Sequence, residues 1–276
     1  MIAIDDFVML GKTVPEPTRT DGRIFVCSAG VSTQMRQLVR IYPLARHGAP
    51  ARWTINRVEL ERNSKDSRHE SWKLAGDRSP GAHDQINNTF TVTGEVAKTR
   101  RADLLKPFTI GSIKQANAAR MSLAVLHPKD MRVSFDFNPD SPDSPQQALF
   151  DTADQPPSGA KRFPYIPRLH FHDEDGGHDL MIRDWGVYER MRKAGGFELW
   201  SDSRRREDIT AALHLDESCS LLVGNFNQHR TSWLVISVLR GLRAPEALFD
   251  TAELGWDAAI PTASRASRRR VPHPAA

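Results

Sequence analysis

The sequence predicts an α+β protein with a small β-barrel or curved sheet in its N-terminal part and a mixed antiparallel sheet with helices in its C-terminal part. Short apolar runs separated by turn residues fill residues 1–61. Helical periodicity is confined to short segments, and two strongly apolar runs late in the chain flank a polar loop, as in a core hairpin. With 276 residues, 39% of them apolar, the chain can bury one large core or two smaller ones.

The N-terminal part consists of short candidate strands divided by turn residues such as Asp21-Gly22. Residues 52–61 alternate in part but break register once near Asn56, which predicts a bulged strand. Strands of this length and spacing are typical of an all-β module. We predict strands at residues 7–10, 23–29, 38–44 and 52–61.

The middle of the chain is predicted to contribute two further strands and two short helices. Residues 131–137 alternate cleanly between apolar and polar side chains, which predicts a half-buried strand. The other strand is placed at residues 90–96, and the helices are placed at residues 102–105 and 112–121.

A stretch rich in Pro, Ser and Asp, residues 138–161, has the composition of a surface loop or an interdomain linker. We therefore place the domain boundary there. It divides a β-rich domain with a helical extension, residues 1–137, from a C-terminal α+β module, residues 162–263. The basic segment 264–276 shows no periodicity and is predicted to be disordered.

The C-terminal module is predicted to begin with a strand and to contain the core hairpin. Asp184 is suited to cap a helix over residues 185–193, which Gly195-Gly196 would end. Further elements are predicted at residues 163–172, 197–200 and 208–213, with the hairpin at residues 220–225 and 232–239.

The composition is mildly basic, with a formal net charge of +4 and a pI near 9.2, and arginine supplies most of the positive charge. Guanidinium groups favour phosphate, so nucleic acid is a candidate partner, although arginine is also ordinary solvated surface. No run of about eighteen apolar residues and no basic-then-apolar leader is seen, so we expect a soluble cytoplasmic protein without membrane contact. Cys27 and Cys219 suit buried thiols better than a disulfide framework.

Three histidines and four acids crowd one short segment, residues 168–179, around a Gly-Gly pair that predicts a turn. If the segment begins as a strand, its period of two places His170 and His172 on one face. The turn would then return His178 and Asp179 beside them. Imidazole and carboxylate groups are ligands that borderline divalent metals prefer, so these four residues are candidates for binding a divalent metal ion.

This cluster is open to three interpretations. A bound metal would polarise a water or a phosphoryl oxygen in phosphodiester hydrolysis, with His178, Asp179 and Asp184 as the candidate catalytic residues, although the spacing matches no specific zinc signature. The cluster could also make another functional contact. Alternatively, His178 and Asp179 brace the turn that leads to the helix at Trp185.

Two polar segments are candidates for contact with nucleic acid. Residues 224–233 join the two apolar strands of the predicted hairpin, and a loop on a rigid hairpin is a good binding platform or simply a polar connection. The candidates there are Asn225, Gln228, His229 and Arg230 for base edges or phosphate, and Phe226 for stacking on a base.

The second segment, residues 61–73, interleaves cations, acids and one tryptophan. Four cations, Arg62, Lys65, Arg68 and Lys73, would follow a phosphate backbone, with Trp72 as a stacking surface. The alternative is a solvated loop with the tryptophan folded beneath it.

Several segments together resemble a widespread group of uncharacterised bacterial proteins that lie near mobile elements or defence genes. The N-terminal third is also similar to domains described as paired OB-like folds, in which a small barrel presents loops to nucleic acid. The resemblance therefore implies an OB-like N-terminal barrel and a setting in defence or mobile elements. The segments that carry it are Lys12-Thr-Val-Pro-Glu-Pro-Thr18, Val26-Cys-Ser-Ala-Gly30, Arg40-Ile-Tyr-Pro43, Lys65-Asp-Ser-Arg-His-Glu-Ser71, Gly177-His-Asp179, Asp184-Trp185 and Val223-Gly-Asn225.

Three functions remain open from the sequence. A nucleic-acid-binding protein is favoured, because arginine and aromatic residues are paired around loops in both parts of the chain. A metal-dependent, nuclease-like hydrolase and a non-enzymatic assembly subunit are the alternatives. No nucleophile elbow, phosphate-binding loop or dinucleotide fingerprint is present to indicate another enzyme class.

Overall fold

The computed structural model describes residues 1–17, 23–45, 47–77, 79, 82–138, 163, 165–193 and 203–242. The strand predicted at residues 197–200, nearly all of the stretch 138–161 and the tail 264–276 lie outside the described residues. Among the residues described, no helix is both long enough and apolar enough to cross a membrane.

The N-terminal half forms a closed barrel of five strands, which confirms the predicted barrel. The strands of this sheet are β1 (Ile2–Lys12), β2 (Glu16–Pro17), β3 (Ile24–Ser32), β4 (Gln37–Ala45), β5 (Thr54–Arg62), β6 (Ser71–Leu74) and β7 (Thr91–Glu95). Around the barrel the order is β1, β3, β4, β6 and β5, and β5 closes it by pairing with β1. All of these pairs are antiparallel except β4 with β6, which are parallel.

The irregularity predicted near Asn56 is present in the structure. The pairing of β5 with the outer strand β7 shifts register between Ile55 and Asn56. The Asn56 side chain is buried, and its amide donates a hydrogen bond to the Phe7 carbonyl at 3.1 Å. The amide nitrogen of Asn56 is therefore hydrogen-bonded inside the barrel wall at the point where the ladder is interrupted, whereas its buried side-chain oxygen has no partner among the described residues.

The C-terminal half contains the remaining strands, and short helices occur in both halves. Its strands are β8 (Thr109–Ile110), β9 (Leu123–Leu126), β10 (Lys129–Phe137), β11 (Tyr165–Asp173), β12 (Gly176–Met181), β13 (Ser220–Asn225) and β14 (Trp233–Leu239). The α-helices are α1 (Arg101–Leu105), α2 (Ile113–Ala118), α3 (Trp185–Lys193) and α4 (Ser203–Leu213), and short 3₁₀ helices span His83–Thr89, Lys98–Arg100 and Lys106–Phe108.

The strands of the C-terminal half repeat the connectivity of the barrel. One sheet has the order β10, β11, β12, the other has the order β14, β13, β9, β8, and a parallel bridge from Ile182 to Val235 connects β12 to β14. We count β9 and β10 as one strand that is interrupted at His127 and Pro128. The order of neighbouring strands is then first, second, third, fifth and fourth in both halves. The third and fifth strands are parallel in both. The repeat is visible in topology, whereas the sequence shows none.

Strands on the two sides of the predicted linker pair with one another. β10 pairs with β11 over seven residue pairs, and β9 pairs with β13. Residues from both sides of the predicted boundary therefore belong to the same sheets. Met1–Ala244 form one compact unit.

Three buried apolar clusters hold this unit together. One is built from barrel strands around Phe7, and a second lies within the C-terminal half around Tyr188. The third lies between the halves and joins Leu10 of β1 to Leu222 of β13 and Ile236 of β14. Because β13 and β14 are covered on both faces, every residue in them is buried, which explains why most of their residues are apolar.

Candidate functional site

Two loops that are far apart in sequence lie side by side in the structure. Residues 63–70 join β5 to β6, and residues 226–232 join β13 to β14, so each loop connects the fourth strand of its half to the fifth. The Arg230 guanidinium donates to the Ser67 hydroxyl at 2.8 Å, and the Asn227 amide donates to the Lys65 carbonyl at 3.3 Å. We call these two segments the paired loops. Both segments singled out from the sequence therefore contribute to one surface.

An internal ion pair shapes the first of the paired loops. Arg68 and Asp66 form a salt bridge at 2.5 Å, and their side chains are only 9% and 7% exposed. Asp66 also accepts a hydrogen bond from the Ser71 hydroxyl at 2.7 Å. Burial acts to raise the pKa of Asp66, but the hydrogen bonds from Arg68 and Ser71 outweigh it and hold this pKa below its ordinary value.

Arg68 also connects the first loop to the second half of the chain. Its Nη1 donates to the carbonyl of Asn225, the last residue of β13, at 2.6 Å. Asn225 is buried, and its side-chain amide donates to the carbonyls of Met121 and Arg230 at 3.2 and 2.8 Å. Arg68 and Asn225, both predicted to touch nucleic acid, thus face inward and position the loops.

A buried polar junction lies next to the paired loops. The Glu70 carboxylate accepts from the backbone amide and the hydroxyl of Ser122, at 2.9 and 2.8 Å. The Arg40 guanidinium donates to the Ser122 carbonyl at 2.8 Å. Arg40 is only 5% exposed, and this burial lowers the pKa of its guanidinium below the ordinary value. The two halves are therefore joined by specific polar contacts as well as by apolar packing.

A cleft of about 440 Å³ opens beside the paired loops. Four cationic side chains and one carboxylate line it, together with two aromatic rings, and the carboxylate is the one already paired with Arg68. Its lining residues are Arg23, Phe25, Tyr42, Pro43, Asn63, Ser64, Lys65, Asp66, Arg68, Lys73 and Asn227. Asn227 belongs to the C-terminal half, so both halves build the cleft.

Tyr42 is the most accessible aromatic ring of the cleft. The residue is 38% exposed, and its ring meets the edge of Phe25 with centroids 6.2 Å apart. The Arg23 guanidinium lies over the other aromatic ring, 5.4 Å from the Phe25 centroid. Burial raises the pKa of the Tyr42 phenol above its ordinary value, so at neutral pH its hydroxyl is a hydrogen-bond donor.

Sequence reasoning did not identify Tyr42 or Phe25 as site residues. Both lie on barrel strands, where an aromatic residue is expected in the core, and only the pairing of β3 with β4 brings them together. Phe226, which sequence reasoning did propose for stacking, is 44% exposed in the second of the paired loops.

Some of the predicted cationic and aromatic side chains of the first segment are exposed to solvent, and others are buried. Lys65 is exposed and makes no ion pair within the described part of the chain. Arg62 is exposed too, but its guanidinium covers the Trp72 ring at 3.9 Å from the centroid and donates to the His69 carbonyl. Trp72 is only 6% exposed, so it offers no open face for a base. In the second segment, Gln228, His229 and Arg230 are all exposed.

The histidine segment brings His170 and Asp179 within 3.7 Å of each other but places His178 on the opposite face of the hairpin. The turn between β11 and β12 is formed by Glu174 and Asp175, not by the Gly-Gly pair. A two-residue turn sets each even-numbered residue opposite an odd-numbered one, so His178 lies opposite Phe171. His178 therefore occupies the face opposite to that of His170 and His172.

Each of these side chains has a structural partner on its own face. His178 is 2.7 Å from the Asp173 carboxylate, and its ring packs against Phe171 with centroids 5.2 Å apart. His170 is hydrogen-bonded to the Ser134 hydroxyl at 2.8 Å. Asp179 accepts from Arg168 at 2.8 Å. His172 is 61% exposed and lies 3.6 Å from Asp130. Over the described residues, no group of three or more His, Cys, Asp or Glu side chains is arranged to hold a metal ion.

Asp184, the third catalytic candidate, is a buried connector. Its carboxylate accepts from the Gly186 amide at 2.8 Å, which is the predicted capping contact at the start of α3. It also accepts from the Val238 amide at 3.0 Å and from the Arg52 guanidinium at 2.9 Å. Arg52 comes from the barrel, so Asp184 joins the two halves and is not open to a substrate.

Two family models match the chain in succession. Residues 4–107 match a family described as domain of unknown function DUF8758, and residues 109–253 match a family described as domain of unknown function DUF8757. The two matched segments meet at residue 108, between the two sets of strands that share a connectivity. No curated protein matches the chain.

A solved structure described as a murine DNA-binding protein bound with double-stranded DNA aligns with 90% of this chain and 100% of its own chain. The identity is 7% and the TM-score is 0.31. A likeness at that level supports no conclusion about fold or ligand.

Proposed function

The chain belongs to the family described as domain of unknown function DUF8757, and we propose that it binds nucleic acid on the paired loops and in the adjoining cleft. The observation that carries the proposal is the contact between two polar loops, one from each half, beside a cleft lined by cations and aromatic rings. Cations that follow phosphates and rings that stack on bases are the two components of sequence-tolerant nucleic-acid binding.

The connectivity of the barrel supports the same proposal. Five strands in a closed Greek-key barrel with a parallel third and fifth strand are consistent with an OB-like fold. OB folds bind oligonucleotides on the face of the second and third strands and on the loops after the first and fourth strands. Here β3 and β4 are the second and third strands, and residues 63–70 follow the fourth, so the cleft lies where such a fold binds its ligand.

The charges of the surface favour a polyanion over a neutral ligand. Arg62, Lys65 and Arg230 are all exposed on or next to the paired loops. Asp66, the carboxylate of the cleft, is neutralised by Arg68. OB folds also bind oligosaccharides, but a neutral sugar would leave these cations without a counter-charge.

We do not carry forward the metal-dependent hydrolase, because the register of β11 and β12 separates His178 from His170 and His172. Asp179 is bound to Arg168, and Asp184 is buried between the halves. The setting in defence or mobile elements stays a prediction from the resemblance.

The proposal is tested by fluorescence anisotropy of labelled DNA and RNA oligonucleotides with the purified full chain. Three exposed cations predict that the logarithm of affinity falls with the logarithm of salt with a slope of about −2 for a single strand. The affinity should therefore fall roughly twenty-fold when the salt concentration is raised from about 50 to about 200 mM. Absence of binding at the lowest salt would refute the proposal and leave the assembly-subunit hypothesis.

A charge reversal locates the binding surface. Lys65→Glu should weaken binding by about ten-fold or more, because it removes one phosphate contact and adds a repulsion. Lys98→Glu is the matched control, since Lys98 is exposed beyond β7, which pairs with the opposite end of β5 from the paired loops. Equal losses in the two variants would show that the binding depends on overall charge and not on this surface.

A further inference from the structure

We infer that the ligand of this surface is a single strand with unstacked bases, one held against Tyr42 in the cleft and a neighbouring one on Phe226. This inference rests on the proposed function and narrows it to a substrate class. It also requires that one strand contacts both halves of the chain at once.

The volume of the cleft is suited to a ligand of the size of a nucleotide. Its volume of about 440 Å³ falls within the usual range of about 300–1,000 Å³ for pockets that enclose small organic ligands. The Phe25 ring meets Tyr42 at an interplanar angle of 71°, so Phe25 does not occupy a parallel stacking position on the tyrosine. A planar base can enter against Tyr42 only if it has left a base stack.

The second aromatic ring lies next to the cleft in the other half of the chain. Asn227 lines the cleft and is hydrogen-bonded to the Lys65 carbonyl, and Phe226 is the adjoining residue. Its exposed fraction of 44% is large for a phenylalanine that no described ring contact supports. A strand that leaves the cleft past Lys65 would therefore meet the loop that carries Phe226.

The cleft lacks the elements by which proteins read a duplex. Base edges of duplex DNA are read by a helix or a two-stranded ribbon that enters the major groove. All lining residues come from β3 with the residue before it, β4, β6 and the paired loops, and among the described residues no helix contributes to the lining. Bases within a duplex also have both faces covered by their neighbours, so they cannot use Tyr42 and Phe226.

The cations lie where the phosphates of such a strand would pass. Lys65 lines the cleft, and Arg230 is held to the first loop by its hydrogen bond to Ser67. Phosphate contact at these two positions is independent of base identity. Binding would therefore have a stacking component and an electrostatic component. Variants of the aromatic residues should remove the first, and variants of the cations should remove the second.

The test compares fluorescein-labelled oligonucleotides of mixed sequence, as single strands of DNA and of RNA and as a fully paired DNA duplex of equal length. We expect a single strand to bind at least ten-fold more tightly than the duplex at the same salt. The DNA and RNA arms identify which of the two sources supplies the strand, and tighter binding of either one than of the duplex supports the inference.

Stacking variants complete the experiment. Tyr42→Ala and Phe226→Ala should each weaken single-strand binding by about ten-fold with an unchanged salt slope, since stacking on one aromatic ring contributes on this order. Tyr42→Phe keeps the ring and should retain the affinity, which separates stacking from an effect on folding. Phe137→Ala is the matched control, because Phe137 is 65% exposed on β10 and does not line the cleft.

Two outcomes overturn the inference. If the duplex binds as tightly as the single strands, or if Tyr42→Ala and Phe226→Ala bind normally, the inference is wrong while nucleic-acid binding itself stands. If none of the oligonucleotides binds at low salt, the proposed function is wrong as well.

Discussion

At the scale of single residues, Arg68 determines the shape of the surface. It is paired with Asp66 below the surface and donates to the carbonyl of Asn225, so it links the two loops. Arg68→Ala would leave a buried carboxylate without its partner, and we predict a loss of about 3–5 kcal/mol in the free energy of unfolding. Urea denaturation followed by circular dichroism measures this loss.

The exposed pair of Arg57 and Asp5 is the control for that experiment. Its side chains are 64% and 68% exposed, so Arg57→Ala should cost only about 0–1 kcal/mol. A similar cost for the two arginines would contradict the role given to Arg68.

The lowered pKa of Asp66 predicts a dependence of stability on pH. A carboxyl group whose pKa is lower in the folded chain stabilises the fold fully above its unfolded pKa of about 3.9 and loses this effect as the pH falls through the folded pKa. Asp66→Asn should therefore be less stable than the parent protein at pH 7, and the difference should shrink below about pH 4. A difference that stays constant from pH 7 to pH 3, in urea titrations at each pH, would exclude this ion pair as the cause.

The sequence identified the two polar segments, but it did not predict which of their side chains are exposed to solvent. Lys65 and Arg230 point outward, whereas Trp72 and Asn225 are buried. Lys65 and Arg230 lie in irregular loops, where no fixed period relates position to direction. Trp72 lies on β6, a strand that was not predicted, and Asn225 is the last residue of β13, so strand packing buries both. Tyr42 was not predicted as a site residue, because an aromatic side chain on a strand is expected to belong to the core.

At the scale of elements, the hairpin of β11 and β12 shows why the histidines do not converge. His170 contacts Ser134, and His178 contacts Asp173 from the opposite face, so the two share no partner. We predict that His170→Ala and His178→Ala have additive effects on the free energy of unfolding, within about 0.5 kcal/mol. A double-mutant cycle measures the coupling, and a larger value would indicate a common site.

Most elements could be predicted because their apolar patterns are local. The strands of the barrel and the core hairpin of β13 and β14 follow from alternation and from apolar runs. Five strands were not predicted. β2 and β8 have only two residues each, β6 has four within a polar stretch, β9 is a short apolar run without a period, and β12 begins with the Gly-Gly pair that predicted a turn. The pairing of strands, and hence the contact between the paired loops, depends on residues distant in sequence and has no local signal.

At the scale of the whole molecule, the two halves form a single unit. Apolar residues of β1 pack on those of β13 and β14, and the contacts of Arg52 with Asp184 and of Arg40 with the Ser122 carbonyl cross the same boundary. We predict one cooperative unfolding transition, with tryptophan fluorescence and far-ultraviolet circular dichroism giving the same midpoint. Two separate transitions would show that the halves are independent domains joined only by chain connectivity.

The central claim is that one nucleic-acid strand contacts a loop from each half at the same time. Hydrogen exchange measured by mass spectrometry, with and without a saturating single-stranded oligonucleotide, tests it directly. We expect slower exchange in residues 63–70 and 226–232 together, with the same dependence on oligonucleotide concentration, and no change in β11 and β12. Protection of only one of the paired loops, or protection centred on β11 and β12, would contradict it.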